Sequence, residues 1–115
     1  MEFIALWFGW PMTQFDIIAA FPHADEKLLN IFMRPPPEWL RQHPELADNL
    51  WHMLKSLYGR RSAGANFRDL FHEVLVNAPG GGVSAGVIEP CAFFSSSRGW
   101  RATHHIEDGR ITGPW

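Results

Sequence analysis

One cysteine, Cys91, is all that the 115 residues contain. No internal disulfide can form, a cysteine-built zinc centre is excluded, and an intracellular rather than secreted setting is expected. Neither sign of charge dominates: 10 Lys and Arg face 12 Asp and Glu, for a net charge of -2. The chain alone therefore has no global field to draw in a polyanion, and a self-sufficient nucleic-acid binder would be more basic. No apolar run spans a bilayer. The longest, Phe3 to Trp10, is interrupted by Gly9 and closed by Pro11, and Glu2 stands where a signal peptide would be basic. No partner membrane is expected. Gly80-Gly81-Gly82 lacks the Gly-Lys-Ser/Thr ending of a phosphate loop and reads as a linker. Internal repeats are absent and tyrosine occurs once, at Tyr58.

What is present suits one modest domain: 46% apolar and 19% charged residues, with six Trp and nine Phe to fill a core. Phe3 to Trp10 reads as the tail of a buried helix, and Met12 to Ile18 as a buried strand. Ala19 to Pro22 turns the chain, and Asp25-Glu26-Lys27 reads as a solvated charge cluster. Asn30 to Arg34 forms a strand ended by Pro35-Pro36-Pro37, because proline cannot donate to a ladder. A short helix and loop over Glu38 to Leu50 lead to a second strand at Leu50 to Leu54. The basic stretch Lys55 to Asn66 follows, rich in small residues that let backbone approach a ligand. Phe67, Leu70, Phe71, Val74 and Leu75 then recur at helical spacing, with Ser62 as N-cap, Arg68, Asp69, His72 and Glu73 outward, and Pro79-Gly80 as the stop. Strands at Pro90 to Phe94 and Trp100 to Ile106 close the chain in a hairpin. The expected class is α+β: an antiparallel sheet with the helix packed on one face.

Two acids stand at the end of that hairpin. Asp108-Gly109 between strand-like runs predicts a tight turn at those residues, and Glu107-Asp108 puts like charges side by side. A solvated turn is the ordinary explanation; a bound cation is the functional one. Asp16, inside an apolar strand, is costly unless it caps the next turn, is paired, or binds metal. If Asp16 and the hairpin tip lie on adjacent central strands, three carboxylates converge, which suits hard divalent cations. A histidine metal site using His104 and His105 with His72 or His52 is disfavoured, because neighbours on a strand point to opposite faces.

Taken together, Gln14 to Phe21, Leu54-Lys55-Ser56-Leu57-Tyr58-Gly59, Phe32-Met33-Arg34-Pro35-Pro36, and Glu89-Pro90-Cys91 leading to His105-Ile106-Glu107-Asp108 follow one pattern. They resemble the reverse transcriptase of copia-type retrotransposons, an RNA-directed DNA polymerase within a Pol polyprotein. The likeness runs from about Phe3 to Gly113. It implies the palm of a right-handed polymerase over residues 12–115, including a fingers-proximal β region, with residues 1–11 the tail of a fingers helix. Asp16, Glu107 and Asp108 match the catalytic acids, and Asp16, Ile17, Glu107 and Asp108 the metal position. Phe21 matches the aromatic gate against a ribose 2′-OH. Tyr58, Gly59, Arg60 and Arg61 match the stretch that supports the incoming nucleotide. Two Mg²⁺ ions, with Mn²⁺ as a substitute, would serve nucleotidyl transfer to a primer 3′-OH. The implied partners are an RNA or DNA template, its primer, and deoxynucleoside triphosphates. The implied location is cytoplasm or a virus-like particle.

The chain also departs from that pattern. His105 replaces the usual Tyr, Glu107 the usual first Asp, and Gly64 the usual Pro. Basic fingers residues, the primer grip, the thumb and any RNase H domain are not among these residues, so the chain by itself is expected to be inactive. The expectation from a different class is a non-catalytic transposon remnant with apolar surface exposed where fingers and thumb would pack.

Overall fold

Two short strand-forming runs on either side of Ile106-Glu107 pair as an antiparallel hairpin, and the main sheet grows from it. The computed structural model describes residues 1–80 and 82–115, so the expected linker at Gly80 to Gly82 falls in part outside the described residues. The helices are α1 (Glu2–Phe8), α2 (Ala20–His23), α3 (Pro37–Gln42) and α4 (Ala63–Val76). The strands are β1 (Met12–Asp16), β2 (Phe32–Met33), β3 (Trp51–His52), β4 (Val83–Ala85), β5 (Ala92–Ser95), β6 (Arg101–His105) and β7 (Asp108–Thr112). Five strands form one antiparallel sheet in the order β1-β7-β6-β5-β4, while β2 and β3 pair apart from it. The architecture is α+β, as the element pattern requires.

Helix α4 covers one face of that sheet. Phe71 stacks on Phe15 of β1 at 6.3 Å between ring centroids, meets Phe93 of β5 edge-on at 5.8 Å, and lies 4.4 Å from the His104 ring. Phe67, one turn earlier, joins Ala20 and Ala24 in a small buried cluster, with Ile17, Phe21, Leu70 and Phe71 packed around it. This cluster ties α2 to α4 beside the end of β1. Arg68, Asp69, His72 and Glu73 face solvent as their spacing dictates, but so does Val74, which lies beyond the covered width of the sheet.

Several expectations are corrected. Strand β1 is an edge strand, not a buried central one, and only Phe15 within it is half-buried. The strand has a single ladder, to β7, and offers α4 only one ring. Helix α1 buries Ala5 alone and leaves Phe3, Leu6, Trp7 and Phe8 exposed. Ala19 to Pro22 does turn the chain, but most of the turn is the short helix α2. Strand β4 emerges from sequence that carried no strand signal, held by β5. Ser62 occupies the N-cap position of α4 without capping it, because its hydroxyl donates to Glu26 instead. Glu26 is not a solvated charge at all: it is buried.

The hairpin turn is also displaced. His105 pairs with Asp108, so the two loop residues are Ile106 and Glu107, and Ile106 takes the positive φ of 54°. Gly109 lies within β7, opposite both Phe15 and His104. A Cβ there would stand 2.0 Å from Cζ of Phe15. The turn and the close approach compete for the glycine, and the close approach wins, leaving a β-branched residue strained at the tip. Gly109→Ala is therefore expected to lower unfolding free energy by about 1–3 kcal/mol through overpacking against Phe15. Chemical denaturation measures this, and an unchanged midpoint would mean that the Phe15 ring moves aside freely.

Candidate functional site

The β1–β7 ladder brings together the acids that the sequence separates by some 90 positions. Asp16 and Asp108 are direct cross-strand partners. Opposed residues of an antiparallel pair project from the same face with Cβ atoms about 4.5–5.5 Å apart. Glu107 follows in the turn, and its carbonyl accepts a 3.0 Å hydrogen bond from the Ile17 N–H. Asp16, Ile17, Glu107 and Asp108 thus form one backbone-linked corner, although on an edge strand rather than between two central ones. Among the described residues, no ion pair engages Asp16, Glu107 or Asp108. Two like charges directly opposed on a sheet destabilise it unless a cation lies between them.

The donor chemistry fits a hard divalent ion, since carboxylate oxygens are its preferred ligands. Among the described residues, however, no group of three His, Cys, Asp or Glu side chains converges on a metal position. The fit therefore rests on the Asp16–Asp108 pair, a two-carboxylate set of the kind that binds Mg²⁺ while leaving it most of its water.

The same register sorts the two sheet faces. Phe15, Gly109, His104 and Phe93 look toward α4, whereas Gln14, Asp16, Asp108, Arg110, Thr103 and His105 share the opposite, open face. His104 is buried and His105 exposed, so the pair cannot serve one ion, as alternation requires. A groove of about 680 Å³ runs beside the hairpin, lined by Gln14, Cys91, Thr103, His105, Asp108 and Arg110 among others. Arg110 also pairs with Glu2 of α1. Burial, with help from Glu89, pushes the Cys91 thiol above its usual pKa, which disfavours the thiolate and a nucleophilic role.

His104 supports the turn from beneath. Its Nδ1 lies 3.2 Å from the Ile106 carbonyl, and its Nε2 is buried without a partner. A neutral ring donating from Nδ1 satisfies that geometry. Burial holds its pKa below the ordinary 6.5. The unfolded chain then takes up a proton before the folded one, so this residue's contribution to stability is complete above pH 6.5. It is lost as pH falls from 6.5 toward the lowered folded value. Melts at pH 7.5 and 5.5 should differ more for the wild-type chain than for His104→Leu. Equal differences would show that His104 is indifferent to its burial.

Away from the hairpin, Phe21 and Tyr58 come together with rings 4.6 Å apart, and Phe21 also meets Phe67 edge-on. Tyr58 is more than half exposed, Gly59 adopts a φ of 87°, Arg60 is half-buried and Arg61 is exposed. The four residues form the turn that leads into α4. Sequence reasoning missed the residue beneath this turn, Glu26. The Leu28 N–H above all, then Ser62, Asn66 and Arg60, hold its carboxyl below the usual carboxylate range. Its side-chain partners lie 34 to 40 positions away, so the only hint in the sequence was small polar residues at positions 62 and 66, on the α4 face adjoining Phe67.

The chain is 35% identical over 77 residues, 67% of its length, to the transposon Ty1-BL Gag-Pol polyprotein of Saccharomyces cerevisiae. The truncated transposon Ty1-A Gag-Pol polyprotein of the same yeast matches at 35% over 77 residues as well. Over those residues the chain is similar to a segment of these transposon Gag-Pol polyproteins. It spans about 4% and 6% of the length of these two relatives. No family model matches the chain, and no solved structure matches it. No helix among its described residues is long and apolar enough to cross a membrane.

Proposed function

We propose that this chain is the palm portion of an RNA-directed DNA polymerase of the copia-type retrotransposon class. One observation carries the reading: Asp16 and Asp108 are directly paired across the β1–β7 ladder, with Glu107 on the adjoining turn. The Gag-Pol homology supports it, as does the arrangement of Phe21 beside Tyr58.

Asp16, Ile17, Glu107 and Asp108 would hold Mg²⁺. When bound, the ions supply Lewis-acid stabilisation of the phosphoryl oxygens and a more acidic primer 3′-hydroxyl. The protein's own residues do the rest. The rigid ladder fixes the two aspartates on the open face, where a primer end can approach, while α4 seals the other face. Phe21, anchored between Phe67 and Tyr58, closes the space that a ribose 2′-OH would need, which favours deoxynucleotides. The turn that holds Arg60 and Arg61 brings positive charge to the side of the triphosphate.

Primer extension tests this reading, with the chain grafted into a complete homologous polymerase and Mg²⁺ either supplied or chelated. Metal-dependent incorporation on an RNA or DNA template is expected. A folded graft that never extends a primer would overturn the proposal and favour the non-catalytic remnant, which the exposed apolar residues of α1 and of Val87-Ile88 also suit.

A further inference from the structure

The structure assigns to Glu26 the positioning of the Tyr58–Arg61 turn against Phe21, and with it a division of labour between the two arginines. Arg60 is the tether and Arg61 the phosphate contact. The assignment rests on the nucleotide-binding reading of those residues.

The Glu26 side chain is 0% exposed, the only acid so enclosed in any ion pair among the described residues. Its carboxylate accepts from the Leu28 N–H at 3.1 Å, the Ser62 hydroxyl at 3.2 Å, and Arg60 Nε and Asn66 Nδ2 at 3.4 Å each. Asn66 also donates to the Ser56 hydroxyl at 2.9 Å. Main-chain bonds complete the clamp. The Glu26 N–H donates to the Leu54 carbonyl at 3.0 Å and the Ser56 N–H to the Ala24 carbonyl at 2.9 Å, around the Asp25–Lys55 bridge.

Tyr58 and Gly59 therefore sit at the tip of a turn whose two feet, Ser56 and Arg60 to Ser62, are both fastened to one carboxylate network. Replacing the whole buried pair by apolar side chains could serve packing as well or better, so the ion pair by itself is weak support for stability, whereas an apolar side chain at Glu26 alone would strand its buried donors. What the carboxylate adds is direction: its several donors fix where the turn stands above Phe21. Arg60, engaged by Glu26, is not free to follow a phosphate. Arg61 is exposed and has no ion pair among the described residues.

Tyr58 is the chain's single tyrosine, so 3-fluorotyrosine labelling gives one ¹⁹F line that reports this turn. Glu26→Gln and Arg60→Gln are each expected to shift or broaden that line while far-UV circular dichroism stays unchanged. Arg61→Gln should leave the line in place. In the wild-type chain the line should also move as pH falls below 4.5, when Glu26 takes up its proton, and Glu26→Gln should lack that step. With dATP and Mg²⁺ as the probe, all three variants should weaken the nucleotide-induced shift by about tenfold in apparent Kd. If Glu26→Gln fails to fold, Arg60→Gln carries the test, since its side chain is 32% exposed and its loss is better tolerated. A line that neither substitution moves, in folded protein, overturns the clamp. A wild-type line that dATP leaves unmoved, while Glu26→Gln still moves it, keeps the clamp and overturns the nucleotide reading.

Discussion

Asp16→Asn is expected to reduce primer extension by about a thousandfold or more when the chain is grafted into a complete homologous polymerase. The amide keeps the shape of the side chain and its place opposite Asp108, so the ladder and the fold should survive. What it loses is a negative charge at the position where the proposed hard cations would need one. Metal-ion stabilisation of a phosphoryl transition state is worth several kcal/mol, and each 1.36 kcal/mol is about tenfold in rate. The substitution also removes the like-charge opposition across the ladder, so thermal stability without metal should rise slightly while activity collapses. Single-turnover incorporation with saturating dNTP measures the first effect and a melt in EDTA the second. Incorporation that survives Asp16→Asn would place the metal site elsewhere.

Glu107→Asp should act in the opposite direction, raising the incorporation rate by up to about a hundredfold in the same graft. Glu107 lies in the two-residue turn, beside a strained Ile106, with its carbonyl fixed by the Ile17 N–H. The backbone there is pinned, so the extra methylene cannot be absorbed by moving the turn. In the proposed site the carboxylate would be carried on the order of 1 Å too far, and a misplacement of that size costs about a hundredfold. In the structure the acids share a corner, and among the described residues no three side chains converge. Equal rates for the two forms would show that the longer side chain reaches its position without cost.

Sequence was a good guide wherever an element's reason for existing was local. Helix α4 followed from its apolar spacing, and the hairpin of β6 and β7 from strand formers around a turn. That Asp16 could lie beside the hairpin tip was a possibility the element order left open, and the β1–β7 ladder realises it, with β1 at the edge. What the sequence could not show were demands made by distant residues. Asp108-Gly109 carries a strong turn signal, but Phe15, some 90 positions earlier, needs the missing Cβ of Gly109, so the turn forms two residues sooner. Asp25-Glu26-Lys27 looked uniformly solvated, and two of its members are, each paired with an exposed partner. Glu26 differs only because Ser56, Arg60, Ser62 and Asn66 fold over it. Ser62 has the right chemistry for a cap, and the same hydroxyl was drawn to that buried charge instead. Strand β1 seemed central because its sequence is apolar, yet sheet order rests on pairing partners that composition does not encode.

The Phe15–Gly109 contact has a consequence for the two aspartates beside it. A strand held by one ladder can slide along its neighbour, and a slip of one residue would turn every side chain to the other face. Only Gly109 in β7 leaves room for the Phe15 ring; a slip of two would press that ring against the side chain of Ile111 or Glu107. The ring in its notch works as an alignment pin. By fixing Phe15 to Gly109 it fixes Asp16 to Asp108, so the spacing of the charged pair is set by an apolar fit one residue away.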